Sequence, residues 1–172
     1  CRWCGTAHPL IPCETCGETT VKLRGAGSER TAEQFQAMFP ETMILLSDGT
    51  HQRSRVDARP SVVVATRGAE PIAAGGYQAV VLLDVDRVMS APFLRAEEQA
   101  LRHWHRAAAL ATPAAPVVLT GGAGPALQAF ITGRESAWLT QELKMRQELR
   151  FPPMVRVATI TGARPLVEQA IT

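Results

Sequence analysis

Four cysteines near the amino end of the chain form two Cys-x-x-Cys pairs. Cys1 pairs with Cys4 and Cys13 with Cys16, and a glycine directly follows each pair. Two thiolates at this spacing fit one tight turn around a metal, and the glycine permits the positive φ angle that such a turn needs. We therefore predict that these cysteines bind zinc. Because every ligand is a thiolate, no position is left open to water, and the zinc is expected to be structural.

Two other interpretations of the cysteine pairs are disulfide bonds and redox sites. A disulfide scaffold is typical of a secreted chain with a small core, whereas 46% of this sequence is hydrophobic. A redox Cys-x-x-Cys motif normally occurs once, at the start of a helix that follows a strand. Zinc is therefore the favoured interpretation. Two arrangements remain open: the four sulfurs share one ion, or each pair needs two more cysteines from outside this sequence.

Two other segments have residue types that suit a ligand. Asp84 and Asp86 come at the end of a predicted strand, where they could hold Mg²⁺ or a ribose, or simply cap the next turn. The run 121–124, Gly-Gly-Ala-Gly, lies between a predicted strand and a helix, so its amides could cradle a phosphate. The run lacks the lysine and hydroxyl residue of a P-loop. For both segments the plainer interpretation, a polar strand end and a tight turn, is favoured.

Histidines and arginines are the remaining candidates. His103 and His105 flank Trp104, but residues two apart on a helix point in different directions. We therefore expect surface histidines around a core tryptophan. The first third of the chain also has arginines that could contact phosphates or simply form a solvated face, two interpretations of equal weight: Arg24, Arg30, Arg53, Arg55 and Arg59.

The elements that must position these residues follow from the hydrophobic pattern. Strands are predicted at 19–24, 43–46, 61–66, 78–84 and 117–119, and helices at 31–39, 94–110, from Pro125 onward, and around 138–149. The first helix is expected to start with a capping box at Thr31 and Gln34, and the polar stretch 50–60 is expected to be a loop. Short, unalternating strands separated by helices predict an α/β fold with a parallel sheet covered on both faces.

Composition sets the remaining bounds. With 172 residues, the chain is long enough for one α/β domain with a small appendage. Its net charge of +2 neither demands nor excludes nucleic acid. No apolar run is long enough to span a membrane and no signal peptide is recognisable, so the cytoplasm is the expected compartment and no membrane partner is predicted. Because the sequence starts at a cysteine inside the metal motif, we expect it to be a fragment of a larger protein.

The ordered series of motifs resembles the second helicase lobe of primosomal protein N′ (PriA), the replication restart family. The cysteine pairs match the last two of four such pairs in that family. The other matching segments follow in the family's order: Gly27-Ser28-Glu29, Phe39-Pro40, Asp48, 62–66, 83–86, Phe93, Arg95-Ala96, Glu98 and 146–153. The resemblance covers nearly the whole chain. It implies a zinc-knuckle segment at 1–18, a RecA-like (P-loop NTPase-like) helicase lobe at 19–151 and the start of a truncated carboxyl-terminal domain at 152–172.

Two segments depart from the pattern of active helicases in this family. After Thr66 the family has Gln-Met and then Lys-Gly, whereas this chain has Arg-Gly-Ala-Glu-Pro at 67–71. In the family's late motif, Gln-Val-Ala-Gly-Arg-Ala-Gly-Arg, two arginines stabilise charge on the transferring phosphate. In the register continued from Glu98, their positions are taken by Leu110 and Pro113. The sequence therefore resembles the actinobacterial branch, in which the helicase motifs are degenerate, and we predict no ATP turnover by this chain.

The resemblance implies a role in recognising abandoned replication forks and in assembling the primosome that reloads the replicative helicase. It implies forked or single-stranded DNA and primosome proteins as partners, structural Zn²⁺ as a cofactor, and ATP only in the full-length protein. Three alternatives remain: an active ATP-dependent 3′–5′ helicase whose catalytic lobe lies outside this chain, a zinc-fingered phosphoribosyltransferase-like competence protein, and a zinc-dependent protein-interaction module. The competence protein is disfavoured because its diphosphate loop needs adjacent acids followed by hydroxyl residues, and Val85 follows Asp84 here.

Overall fold

The computed structural model describes residues 12, 15, 17, 19, 27–158, 160–163 and 167–169. The chain divides into two compact units, Cys1–Ala123 and Gly124–Thr172. The predicted segments 1–18, 19–151 and 152–172 rest on the family resemblance and stay predictions. All four cysteines, and all but Thr19 of the strand predicted at 19–24, lie outside the described residues. No helix in the described part is long and apolar enough to cross a bilayer.

Among the described residues of the first unit, the strands form three parallel pairs. β1 (Met43–Ser47) pairs with β3 (Ser61–Ala65) over its whole length, β5 (Val80–Leu82) pairs with β6 (Val117–Leu119), and the short β2 (Arg55–Val56) pairs with β4 (Ile72–Ala73). The two longer pairs are built from β-branched and leucine residues, which suit a pleated, half-buried surface. Parallel partners cannot be joined by a tight hairpin, so helices or long connections separate them along the chain.

Helices pack against these strand pairs. α1 (Ser28–Met38) lies on β1 and β3, while α2 (Val85–Met89) packs on α3 (Ala96–Ala108), which also contacts β5. The buried residues of α3 include Ala100, Leu101, Trp104 and Ala107, whose spacing places them on one helical face. Trp104 is only 1% exposed, so it anchors the core of this unit. The opposite face of α3, which holds Arg102 and Arg106, is solvent-exposed.

In the second unit, the helices α4 (Pro125–Thr132) and α5 (Glu135–Glu148) pack on each other. Pro125 occupies the first turn of α4, where its missing N–H costs nothing, and Gly133 ends the helix in the left-handed conformation. Arg146 of α5 is buried, and its Nε donates to Glu142 Oε1 at 2.9 Å. This ion pair joins residues one helical turn apart and compensates the cost of burying the Arg146 guanidinium.

The prediction of an α/β fold with parallel strands is confirmed, although the strands form separate pairs rather than one wide sheet. The RecA-like assignment is a finer statement, which these short pairs do not test. The capping box is wrong: α1 begins at Ser28 after Gly27, and the Thr31 N–H already bonds to the Gly27 carbonyl. The predicted loop at 50–60 contains β2. Leu94 was expected on the buried face of α3 but precedes that helix and is 42% exposed.

Candidate nucleic-acid interface

A polar groove lies where the turn after β3 meets the exposed face of α3. It encloses about 300 Å³ and is open to solvent. Its lining consists of polar and cationic residues together with one glycine: Arg67, Gly68, Gln99, Arg102, His103 and Arg106. We call this feature the basic groove. It is located at the carboxyl end of a parallel strand, the edge at which α/β sheets commonly place ligands.

The turn that forms one wall of the groove is held by several hydrogen bonds. Gly68 has a φ of +85°, which glycine adopts without steric cost. Its N–H donates to Glu70 Oε2 at 2.8 Å, and its carbonyl accepts from Gln52 Nε2 at 3.4 Å. The buried Ser47 hydroxyl at the end of β1 donates to the Ala69 carbonyl at 2.6 Å. These contacts fix the backbone beside Arg67 relative to the β1–β3 pair.

His103 lines the groove and lies beside the Glu70 carboxylate. His103 Nδ1 lies 3.6 Å from Glu70 Oε1, with the two side chains 19% and 25% exposed. Burial lowers the pKa of His103 below its usual 6.5, and Arg67 and Arg106 lower it further, while the Glu70 carboxylate partly opposes them. Burial, together with the charge of Glu70, raises the pKa of Tyr77. The expectation of two surface histidines is therefore wrong for His103, whereas His105 is exposed and Trp104 is buried, as expected.

Three arginines determine the charge of the groove. Arg67, Arg102 and Arg106 are all exposed. Within the described ranges, no carboxylate forms an ion pair with any of them. Arg102 and Arg106 are four residues apart, so they project from the same face of α3, about 6 Å apart along the helix axis. The arrangement can bind an anion, because guanidinium groups donate paired hydrogen bonds to phosphate or carboxylate oxygens.

The structure brings the two predicted ligand segments together. Asp86 lies against the glycine turn: a Cβ atom added at Gly121 would lie 3.2 Å from Asp86 Oδ1, and one added at Gly122 would lie 3.1 Å from the Asp86 backbone nitrogen. A carboxylate at this distance opposes a phosphate on the same amides, which favours the tight-turn interpretation. Asp84 precedes α2 in the left-handed region, with φ of 51° and no side-chain capping bond. The described residues contain no cluster of three or more acids, histidines or cysteines suited to a metal.

The other predicted residues lie outside the described residues, have local contacts, or are exposed on other elements. Cys1, Cys4, Cys13, Cys16 and Arg24 lie outside the described residues, so the zinc assignment stays a prediction. Two of the arginines expected to contact phosphates have local roles: Arg53 Nε donates to the Leu46 carbonyl at 3.1 Å, and Arg59 pairs with Asp57 at 2.8 Å. Arg30 and Arg55 are exposed, on α1 and β2 respectively.

The sequence did not single out the basic groove. One wall is the turn after Thr66, which departs from the active-helicase pattern, and the other is α3, which leads into the late motif. The sequence feature that could have indicated the groove is the pair Arg102 and Arg106, which lie one helical turn apart. Of the residues that replace the motif arginines, Leu110 lies in the turn after α3, where its carbonyl accepts the Tyr77 N–H at 2.9 Å. Pro113 is exposed in the loop before β6.

Comparison with known proteins finds relatives along nearly the whole chain. It is 39% identical over 166 residues to the probable replication restart protein PriA of Mycobacterium tuberculosis (strain H37Rv), covering 94% of this chain and 25% of that protein. It is 35% identical over 175 residues to the probable PriA of Mycobacterium leprae, covering 99% and 27%, respectively. Identity to the probable PriA of Deinococcus radiodurans is 30% over 178 residues, covering 95% and 19%. No protein-family model matches. The chain thus spans about a quarter of the length of the mycobacterial relatives.

Proposed function

Because the chain belongs to the PriA-type replication restart family, we propose that it acts in restarting DNA replication at abandoned forks. In this role it binds forked DNA in the cytoplasm and takes part in assembling the primosome that reloads the replicative helicase. It does so without helicase activity of its own. The observation that carries the proposal is the 39% identity that extends over 94% of the chain.

Two features support a binding role rather than a motor role. Leu110 and Pro113 occupy the positions at which the family resemblance expects arginines. Neither side chain can donate a hydrogen bond to a transferring phosphate. A guanidinium at such a position typically contributes on the order of 10³-fold or more to the rate of phosphoryl transfer. In this proposal, the lobe therefore lacks the donors that the chemistry requires at these two positions.

The zinc segment fits the same proposal as a docking element. Cys1, Cys4, Cys13 and Cys16 would supply thiolates to a structural ion, which organises a surface rather than performing chemistry. In this proposal, the zinc segment contacts DNA or a primosome protein while the α/β unit serves as a scaffold. ATP, if used, belongs to the full-length protein.

An ATP turnover assay on the purified chain tests the absence of motor activity. With forked DNA present, phosphate release is expected to stay at the level of a blank without protein. Turnover above that level that is lost in both Asp84→Asn and Asp86→Asn would contradict the proposal and favour the helicase alternative. The same preparation is titrated with fluorescein-labelled forked DNA, and we expect binding that weakens as salt is added.

A further inference from the structure

We propose that the basic groove binds the phosphodiester backbone of nucleic acid, with Arg67, Arg102 and Arg106 as the side chains that contact phosphates. The proposal rests on the proposed function, since it specifies where this chain would contact DNA. It assigns the contact to the α/β unit rather than to the cysteine segment or to the arginines in the first third of the chain.

The donors of the groove are its side chains, not its backbone amides. The Gly68 N–H already donates to Glu70 at 2.8 Å and is not available to an anion. The exposed guanidinium groups of Arg67, Arg102 and Arg106 therefore supply the hydrogen bonds. Arginine is better suited to this than lysine, because its planar fork matches two phosphate oxygens at once.

Glu70, the carboxylate that contacts His103 beside the groove, is already engaged by other groups. Glu70 accepts a hydrogen bond from Gly68 and lies 3.6 Å from His103, so its charge is directed at the turn and the imidazole. Arg67 and Arg106, which both line the groove, also both lower the pKa of His103. The same two positive charges would attract a bound phosphate. The groove is thus arranged for an anionic ligand.

The shape of the groove favours a polyanionic chain over a free nucleotide. Sites for small molecules are mostly apolar and enclose most of their ligand, whereas this groove is open and its lining contains three arginines but no Phe, Tyr, Trp or aliphatic side chain. Arg102 and Arg106, separated by about 6 Å along α3, present charge along a line, and a backbone with repeated phosphates can engage both. Contacts of this kind position nucleic acid without reading its sequence.

The test is the salt dependence of DNA binding by the whole chain, measured by fluorescence anisotropy. The variant Arg67→Ala/Arg102→Ala/Arg106→Ala is compared with the control Arg87→Ala/Arg134→Ala/Arg156→Ala, which removes the same charge from exposed positions outside the groove. Circular dichroism and thermal melting check that both variants fold. Labelled single-stranded and duplex oligonucleotides are titrated separately at several salt concentrations.

The expected result is a loss of salt dependence in the groove variant alone. Each phosphate contact contributes about 0.7 to the slope of log K against log salt for a single strand and about 0.9 for a duplex. Losing three contacts therefore lowers the slope by about 2 or just under 3, and the difference between the two DNAs shows which form occupies the groove. A slope difference of about 2 corresponds to roughly 16-fold in affinity over a fourfold change in salt. The triple Arg→Lys variant should keep most of the slope but bind more weakly.

Three outcomes would overturn the proposal. If the groove variant and the control lose affinity equally, DNA is bound elsewhere on the chain, and the proposed function stands without the groove. If poly-glutamate binds through the three arginines while DNA does not, the groove takes an acidic protein. If the wild-type chain binds neither oligonucleotide, the groove proposal fails, and titration with forked DNA then decides whether the proposed function fails with it.

Discussion

Replacing Ser47 with alanine should destabilise the turn that forms one wall of the basic groove, without changing any charged residue. Ser47 is fully buried at the end of β1. Its hydroxyl donates to the Ala69 carbonyl at 2.6 Å and accepts from the Arg53 N–H at 3.0 Å. The hydroxyl thus ties β1 to the turn next to Arg67 and to the loop after Asp48. Alanine removes both bonds and leaves no atom that could replace them.

The expected loss of stability follows from the hydrogen bonds that the Ala69 carbonyl and the Arg53 N–H lose. A buried polar group left without a partner costs about 1–3 kcal/mol. The Ala69 carbonyl meets that condition, since Ala69 is only 5% exposed. The Arg53 N–H belongs to an exposed residue and can recover a bond from water, so it contributes less. We therefore expect Ser47→Ala to lower the free energy of unfolding by about 2–4 kcal/mol. That is a large fraction of the roughly 5–15 kcal/mol by which a domain is stable.

Urea denaturation followed by far-UV circular dichroism measures this free energy. Ser54→Ala is the matched control, because Ser54 is exposed and its hydroxyl forms no hydrogen bond with another described residue. The control should stay within about 0.5 kcal/mol of wild type. If Ser47→Ala also stays within that range, the hydroxyl is not needed to satisfy the turn, and the reasoning from its burial is refuted. If Ser47→Ala destabilises the fold, DNA affinity measured below the unfolding transition should also fall, because the turn beside Arg67 loses its anchor.

Three further predictions concern the glycine turn, His103 and the cysteines. Gly122→Ala should destabilise the fold more than Gly133→Ala in thermal melts. Both glycines have positive φ, which costs alanine about 1–2 kcal/mol. Only at Gly122 would the new Cβ also meet other atoms, 3.1 Å from Asp86. Equal melting temperatures would contradict this. Because burial lowers the pKa of His103, the unfolded chain binds a proton at this histidine more readily than the folded chain, and stability should fall as the pH drops below 6.5. In denaturation experiments at several pH values, His103→Gln should flatten this part of the curve of stability against pH. An unchanged curve would contradict the prediction. Metal analysis should find zinc that is lost on replacing Cys13 and Cys16 with serine, and a wild-type chain that binds no zinc would exclude the arrangement in which the four sulfurs share one ion. One zinc per wild-type chain would show that all four sulfurs close a single site.

Strong local patterns made part of the fold predictable from the sequence. The hydrophobic runs at 43–46, 61–66 and 117–119 predicted β1, β3 and β6, because continuous β-branched residues indicate buried parallel strands. Pro125 and Trp138 likewise marked the start of α4 and the buried face of α5. The start of α1 was mistaken because Thr31 and Gln34 have the composition of a capping box, while Gly27 caps the helix without a side chain. β2 and β4 have two residues each, too few to show a period.

The basic groove was harder to predict because it depends on tertiary contacts. Arg67 is 35 residues from Arg102 along the chain (102 minus 67), and nothing local indicates that they share a groove. The turn between β3 and β4 reaches α3 through Glu70 and His103, a pairing that no spacing rule predicts. The arginines that appeared clustered in the sequence, at positions 53–59, include two that bond to local groups instead. Clustering along the chain was therefore a poor guide to clustering in space.

The affinity of the purified chain for forked DNA, compared with a blunt duplex of the same sequence, tests the central claim most directly. Anisotropy titrations of both labelled DNAs at the same salt concentration provide the comparison. A role in replication restart predicts that the fork binds more tightly than the duplex and that both affinities fall as salt is added. Equal affinity for the two DNAs, or no binding to either at low salt, would contradict the claim that this chain recognises abandoned replication forks.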